Sequence, residues 1–202
     1  SLDCTKCDYP YTYNTHMGMA EGKNIADRFL AAGLIDEKTK LYYTHFSHNG
    51  GMIYDYSSRT VTAMFGLDET CIPDLRKVCG RFPSLAIEMY APDDTCCIHL
   101  NERSRRHFEL HRIIPREIDD PAEASFPCAK VMFGGSADDI LAAQSFLSEM
   151  CPTLGFVPTD GTLLEVLRPG TGKGTTLLRL AELLGIATEN VYAIGDGDND
   201  ID

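Results

Sequence analysis

The carboxyl-terminal end of this chain constrains it most. From Gly174 to Leu184, the residues Leu177, Leu178, Leu180, Ala181 and Leu184 recur at helical spacing and form a candidate buried face, with Gly185 as a stop. Val191-Tyr192-Ala193-Ile194 then reads as a short strand of the kind buried on both faces of a parallel sheet. It runs into Gly195-Asp196-Gly197-Asp198-Asn199-Asp200-Ile201-Asp202. Helix, buried strand and polar loop make the αβ half of an α/β unit, and ligands in such sheets gather where strands end at their carboxyl side. Asp196 stands at that place. Aspartates this close together do not all stay charged without a cation or a proton to offset their repulsion. Ile201 occupies the position where an EF-hand calcium loop needs glycine. Mg2+ takes one or two carboxylates and leaves room for a phosphate, which suits a Gly-Asp at a strand end.

Just upstream lies Arg168-Pro169-Gly170-Thr171-Gly172-Lys173-Gly174-Thr175. The stretch Gly170–Thr175 is close to a nucleotide-binding phosphate loop, but Leu167 stands where that pattern opens on glycine. Gly174 also replaces the Ser or Thr that follows the lysine. A phosphate loop follows a buried strand, whereas Thr162 to Leu167 carries a charge and reads as half of a hairpin. A P-loop-like nucleotide-binding protein is therefore kept as an alternative, beside a non-catalytic remnant that acts as a binding module. The favoured reading pairs Lys173 at a helix start with Asp196 at the end of the next strand. One cation and one metal-binding acid around a shared pocket suit a phosphoryl group.

The 202 residues carry a formal net charge of −12, which opposes nucleic-acid binding without a local basic patch. No apolar run approaches the roughly 18 residues of a membrane helix, and the start shows no secretory signal pattern. The expected address is the cytoplasm. Eight cysteines are many for this length. Cys4 and Cys7 have the spacing of half a zinc site, but no second pair completes it. The bland reading, reduced thiols packed as small hydrophobes, is preferred. The one basic stretch, Glu102 to Arg112, reads as a solvated helix face, and its histidines, His107 and His111, as structural.

Strands and helices alternate along the rest. Strands are expected at Leu41–Phe46, Met52–Tyr54, Thr60–Phe65, Ser84–Tyr90, Cys96–Leu100 and Cys128–Phe133. A hairpin turns around Thr159-Asp160-Gly161. Helices are expected around Met19–Ala32 with Gly33 as C-cap, and at Asp68–Cys79, Glu102–Ile113 and Ala137–Met150, the last capped by Ser136.

Lys173-Gly174, then Leu177-x₃-Ala181-x₂-Leu184-Gly185-Ile186, then Gly195-Asp196-Gly197-Asp198-Asn199-Asp200 resembles the third and fourth motifs of the haloacid dehalogenase superfamily, Cof-like phosphatase branch. His48-Asn49-Gly50-Gly51 resembles the Asn-Gly element leading out of that family's core. The resemblance implies an α/β fold: a doubly wound, Rossmann-like parallel core, incomplete here, with a large inserted α/β cap. The core would be residues 1–48 and 167–202, and the cap 49–166. It implies a Mg2+-dependent phosphatase acting on a small phosphorylated metabolite, such as a sugar phosphate, through an aspartyl-phosphate. Asp196 would be the metal ligand, with Asp200 behind it in support of the metal's waters. Lys173 would hold the phosphoryl group, and Asn199 would contact substrate or the lysine. Thr15 is the candidate for the hydroxyl of the second motif. The family's nucleophile motif, Asp-x-Asp-Gly-Thr, is absent, since Pro158 stands at the nucleophile's place in the nearest look-alike, Pro158-Thr159-Asp160-Gly161-Thr162. Both ends are expected to fall short of the family's, and the chain as given is expected to be inactive.

Overall fold

The computed structural model describes residues 31–33, 44–55, 60–191 and 193. A three-stranded antiparallel sheet comes first, made of β1 (Thr44–Ser47), β2 (Met52–Asp55) and β3 (Thr60–Met64) in that order. The expected hairpin of the second and third strands is present, and β1 extends it across the turn at His48–Gly51.

A larger sheet of six strands follows. Its members are β4 (Ala86–Ala91), β5 (Asp94–Ile98), β6 (Arg116–Glu117), β7 (Lys130–Gly134), β8 (Gly155–Asp160) and β9 (Leu163–Leu167). They lie in the order β6-β5-β4-β7-β9-β8, antiparallel except for β5 with β6. Three helices punctuate them: α1 (Ile72–Arg81), α2 (Glu102–His111) and α3 (Ala137–Met150). Each start has a chemical reason. Pro73 sits in the first turn of α1, where its missing N–H costs nothing. Asn101 accepts from the Ser104 amide at 3.0 Å, and Ser136 Oγ accepts from the Asp139 amide at 3.2 Å.

The sheet is buried on both faces. Ile87, Met89, Val131, Phe133, Leu164 and Val166 point to one side, where Leu75 and Val78 of α1 and Ile140, Ala143 and Leu147 of α3 cover them. Ala86, Tyr90, Met132 and Leu163 point to the other, beneath Phe108 of α2. Asp74 joins the first layer to the α3–β8 connection, accepting from Lys77 Nζ at 2.7 Å and from the Thr153 amide and hydroxyl at 3.1 and 2.7 Å. Burial alone would raise its carboxyl, but these donors outweigh burial and hold it below the usual range.

The last helix, α4 (Lys173–Leu183), begins one residue before its expected start, and Gly185 closes it at φ +67°. Thr176, Leu180 and Ala181 are its buried residues, whereas Leu178 and Leu184, expected on the buried face, are exposed. The buried strand expected at 191–194 is not formed by its described members. Val191 and Ala193 belong to no strand and Ala193 is exposed, while Tyr192 and Ile194 lie outside the described residues. Nearly all of the first expected helix lies outside the described residues, though Gly33 does take the left-handed conformation of a C-cap, φ +68°.

Candidate active site

Lys173 is the first residue of α4. Its helix start is held from two sides. Before it, the Thr171 hydroxyl donates to the Phe65 carbonyl at 3.0 Å, and the Gly172 amide donates to Thr175 Oγ1 at 2.8 Å. After it, the buried Thr176 hydroxyl donates to the Gly50 carbonyl at 2.7 Å. Gly50 has φ +86°, and a Cβ there would collide with the Gly172 carbonyl oxygen. Only glycine permits both the conformation and the approach. The Asn-Gly element and the lysine element, far apart in sequence, are thus in contact.

The turn itself is strained. His48 and Asn49 both take left-handed conformations, φ 59° and 52°, ahead of Gly50. Successive non-glycine residues in this region cost free energy and persist where the surroundings hold them, often at functional sites. Asn49 is buried, and its Oδ1 has no hydrogen-bond partner among the described residues.

The other end of the turn faces the larger sheet. The His48 ring lies 5.8 Å from that of Tyr90, and both line a cavity of about 160 Å³ with His107, His111 and Lys130. Behind this lining is a buried polar network that sequence reasoning missed. Glu88 accepts from Ser104 Oγ at 2.5 Å and Tyr90 Oη at 2.5 Å, and lies 2.7 Å from His107 Nδ1. Lys130 Nζ donates to Glu165 at 3.1 Å, both side chains being almost fully buried. Burial pulls the Lys130 ammonium below its ordinary range despite Glu165. Burial and the Glu88 carboxylate push the Tyr90 phenol well above its own. The signal was present: Glu88, Lys130 and Glu165 each interrupt an apolar strand. In a strand with one wet face such residues point to water; here Ser104 and His107 of α2 lie over Glu88, and Lys130 pairs with Glu165.

The basic stretch divides as its helix does. Arg105 and Arg106 are exposed, while Ser104, His107 and Phe108 are buried. His107 and His111 stack edge to face at 4.8 Å between centroids. No group of three or more His, Cys, Asp or Glu able to hold a metal ion occurs among the described residues. The six described cysteines are free, and burial raises the thiols of Cys71 to about 12 and of Cys79 and Cys96 to about 11. Thr15, Asp196, Asn199 and Asp200 lie outside the described residues, as do Cys4 and Cys7. Of the candidate site residues named from sequence, Lys173 alone is placed. No described helix is long and apolar enough to cross a membrane.

Comparison with known proteins identifies the family. A candidate phosphatase from Haemophilus influenzae is 27% identical over 137 residues, which are 65% of this chain and 50% of that protein. The chain therefore spans half the length of that relative. The 5-amino-6-(5-phospho-D-ribitylamino)uracil phosphatase YwtE of Bacillus subtilis is 46% identical over 39 residues, 19% of this chain and 14% of that one. Among solved structures, a haloacid dehalogenase-like hydrolase from Bacteroides thetaiotaomicron superposes with TM-score 0.69 at 23% identity, over 90% of this chain and 74% of its own. A subclass IIB sugar phosphatase of the haloacid dehalogenase superfamily superposes with TM-score 0.66 at 14% identity, over 89% and 66%. The sheets and flanking helices are those of an α/β protein with a Rossmann-like core and a cap. The model of the haloacid dehalogenase-like hydrolases matches residues 31–202, and the chain belongs to that family. This membership displaces the reading of Gly170–Thr175 as a nucleotide loop, and the antiparallel pairing of β9, the strand before it, agrees.

Proposed function

We propose that this chain belongs to a Mg2+-dependent phosphatase acting on a small phosphorylated metabolite, with residues 1–48 and 167–202 as core and 49–166 as cap. The observation that carries the reading is the contact of the helix start bearing Lys173 with the strained Asn49–Gly50 turn. It brings together two of the elements whose sequences resemble the family's site. In this reading Lys173 binds the phosphoryl group at the helix N-terminus, where the backbone dipole adds to its charge. Asn199 contacts substrate, and Thr15 contributes a hydroxyl to the phosphoryl group.

Asp196, with Asp200 behind it, would hold the metal. This donor set is oxygen only, which fits a hard cation, and the described residues offer no competing cluster. Bound there, Mg2+ would neutralise phosphate charge as the ester breaks. No Asp-x-Asp-Gly-Thr occurs within the 202 residues, so the proposal holds that a polypeptide of these residues alone does not turn over. A cytoplasmic address belongs to the same proposal. For the substrate, a structural neighbour is named for sugar phosphates and the Bacillus subtilis relative for a ribitylaminouracil phosphate.

Calorimetry with inorganic phosphate and Mg2+ tests the site. The chain should bind phosphate in a Mg2+-dependent way, and both Lys173→Ala and Asp196→Asn should abolish it. Unchanged binding in either variant, or no binding to the parent chain, would overturn the reading.

A further inference from the structure

α2 places His107 and His111 one turn apart on the same face, with the four-residue spacing by which a helix offers two imidazoles to one metal ion. Together with His48 and Tyr90, both rings line the cavity of about 160 Å³. Their centroids stand 4.8 Å apart, with the ring planes at 74°. Two imidazoles that bind one ion side by side, each through a nitrogen about 2.0–2.1 Å from it, hold their centroids about 5 Å apart. The separation of the pair matches shared ligation.

The surroundings suit a cation. Glu88 Oε2 lies 2.7 Å from His107 Nδ1 and accepts from the Tyr90 hydroxyl, while Oε1 accepts from that of Ser104. A carboxylate on Nδ1 keeps the proton there, fixes the ring and leaves Nε2 as the basic nitrogen, which is how histidine ligands in metal sites are supported. His111 is the last residue of α2, where the helix dipole places partial negative charge. The Lys130 ammonium in the same lining is offset by Glu165 at 3.1 Å. No third His, Cys, Asp or Glu completes a metal-holding group with the pair among the described residues, so water or a ligand in the cavity would fill the ion's other positions. Phe108 stands where the catalytic zinc helix carries Glu, so the pair offers binding without that helix's general base.

We infer that His107 and His111 form a two-imidazole site for a divalent ion that prefers nitrogen ligands, of the Zn2+ class. It differs in chemistry from the oxygen-only set proposed around Asp196, and it stands independently of the phosphatase reading. Imidazole favours Zn2+ over Mg2+, so excess Mg2+ leaves the site open to Zn2+. The test is an NMR titration of the full chain, its histidine rings labelled with 15N, by Zn2+ in the presence of excess Mg2+. The ring resonances of His107 and His111 should shift together with one saturable dependence on Zn2+, and Mg2+ alone should leave both in place. Calorimetry should show this binding weakened at least about tenfold in His111→Ala, which removes a half-buried ring. Zn2+ held elsewhere, as by Cys4 and Cys7, should be untouched by that variant. Should His111→Ala fail to fold, the ring titration of the parent chain decides alone. Zn2+ that moves neither ring, moves only one, or binds with unchanged affinity throughout after His111→Ala would overturn the inference, as would equal shifts with Mg2+.

Discussion

The Thr176 hydroxyl donates to the Gly50 carbonyl at 2.7 Å, joining parts of the chain 126 residues apart. This bond fixes where α4 starts, and therefore where Lys173 stands, against the turn that leads from β1 into β2. Gly50→Ala adds a Cβ that meets the Gly172 carbonyl and forces a left-handed alanine. It should destabilise the fold by more than ~2 kcal/mol in urea unfolding. Thr176→Val removes only the bond and should cost about 1 kcal/mol. Equal effects of the two variants would mean that the close approach at Gly50 contributes nothing.

The Lys130–Glu165 pair is buried where water cannot relieve a lone charge. Lys130→Met alone should cost roughly 3–5 kcal/mol, because it strands the Glu165 carboxylate. Adding Glu165→Leu should recover most of that loss, leaving the double variant within about 2 kcal/mol of the parent. Chemical denaturation of the three variants forms a double-mutant cycle, and additive losses would contradict the account.

Asp74 contributes a pH-dependent share of stability. Its carboxyl is held below the usual range in the folded state, so the folded form gains relative to the unfolded form wherever the carboxyl is ionised. That contribution is complete above the unfolded value of about 3.9 and is lost as pH falls through the lower folded value. Asp74→Ala should cost about 1–3 kcal/mol near neutrality, by stranding the Thr153 amide and hydroxyl. It should also flatten the acid limb of a melting-temperature profile. An unaltered acid limb would assign the pH dependence to other carboxylates.

Thiol chemistry gives an independent check on packing. With the buried Cys71 and Cys96 raised to about 12 and about 11, thiolate is scarce at pH 8. Iodoacetamide should label these cysteines only at the rate at which the fold opens, read by mass spectrometry. Rapid labelling in the native state would contradict their burial.

Much of this architecture was legible because its signals are local. Ser136 before a periodic apolar run announced α3 to the residue, and Thr159-Asp160-Gly161 announced the β8–β9 hairpin. The Asn-Gly turn and Lys173 at a helix start were likewise visible as motifs. What remained hidden depends on contacts between distant segments. Nothing in Ala86–Ala91 states that Glu88 will be sealed beneath α2, since a lone charge in a strand marks a wet face as readily as a covered one. The exposure of Leu178 and Leu184 was missed for a related reason. Helical periodicity says which residues share a face but not which neighbour covers it.

The central claim is that Lys173 and Asp196 serve one metal-linked phosphate site. Mn2+ in place of Mg2+, followed by the paramagnetic broadening of backbone amide resonances, tests it most directly. The account predicts that Mn2+ broadens Lys173 and Gly174 together with the loop around Asp196, and that Asp196→Asn removes the effect at both places. Broadening confined to the loop, with Lys173 and Gly174 untouched, would contradict it.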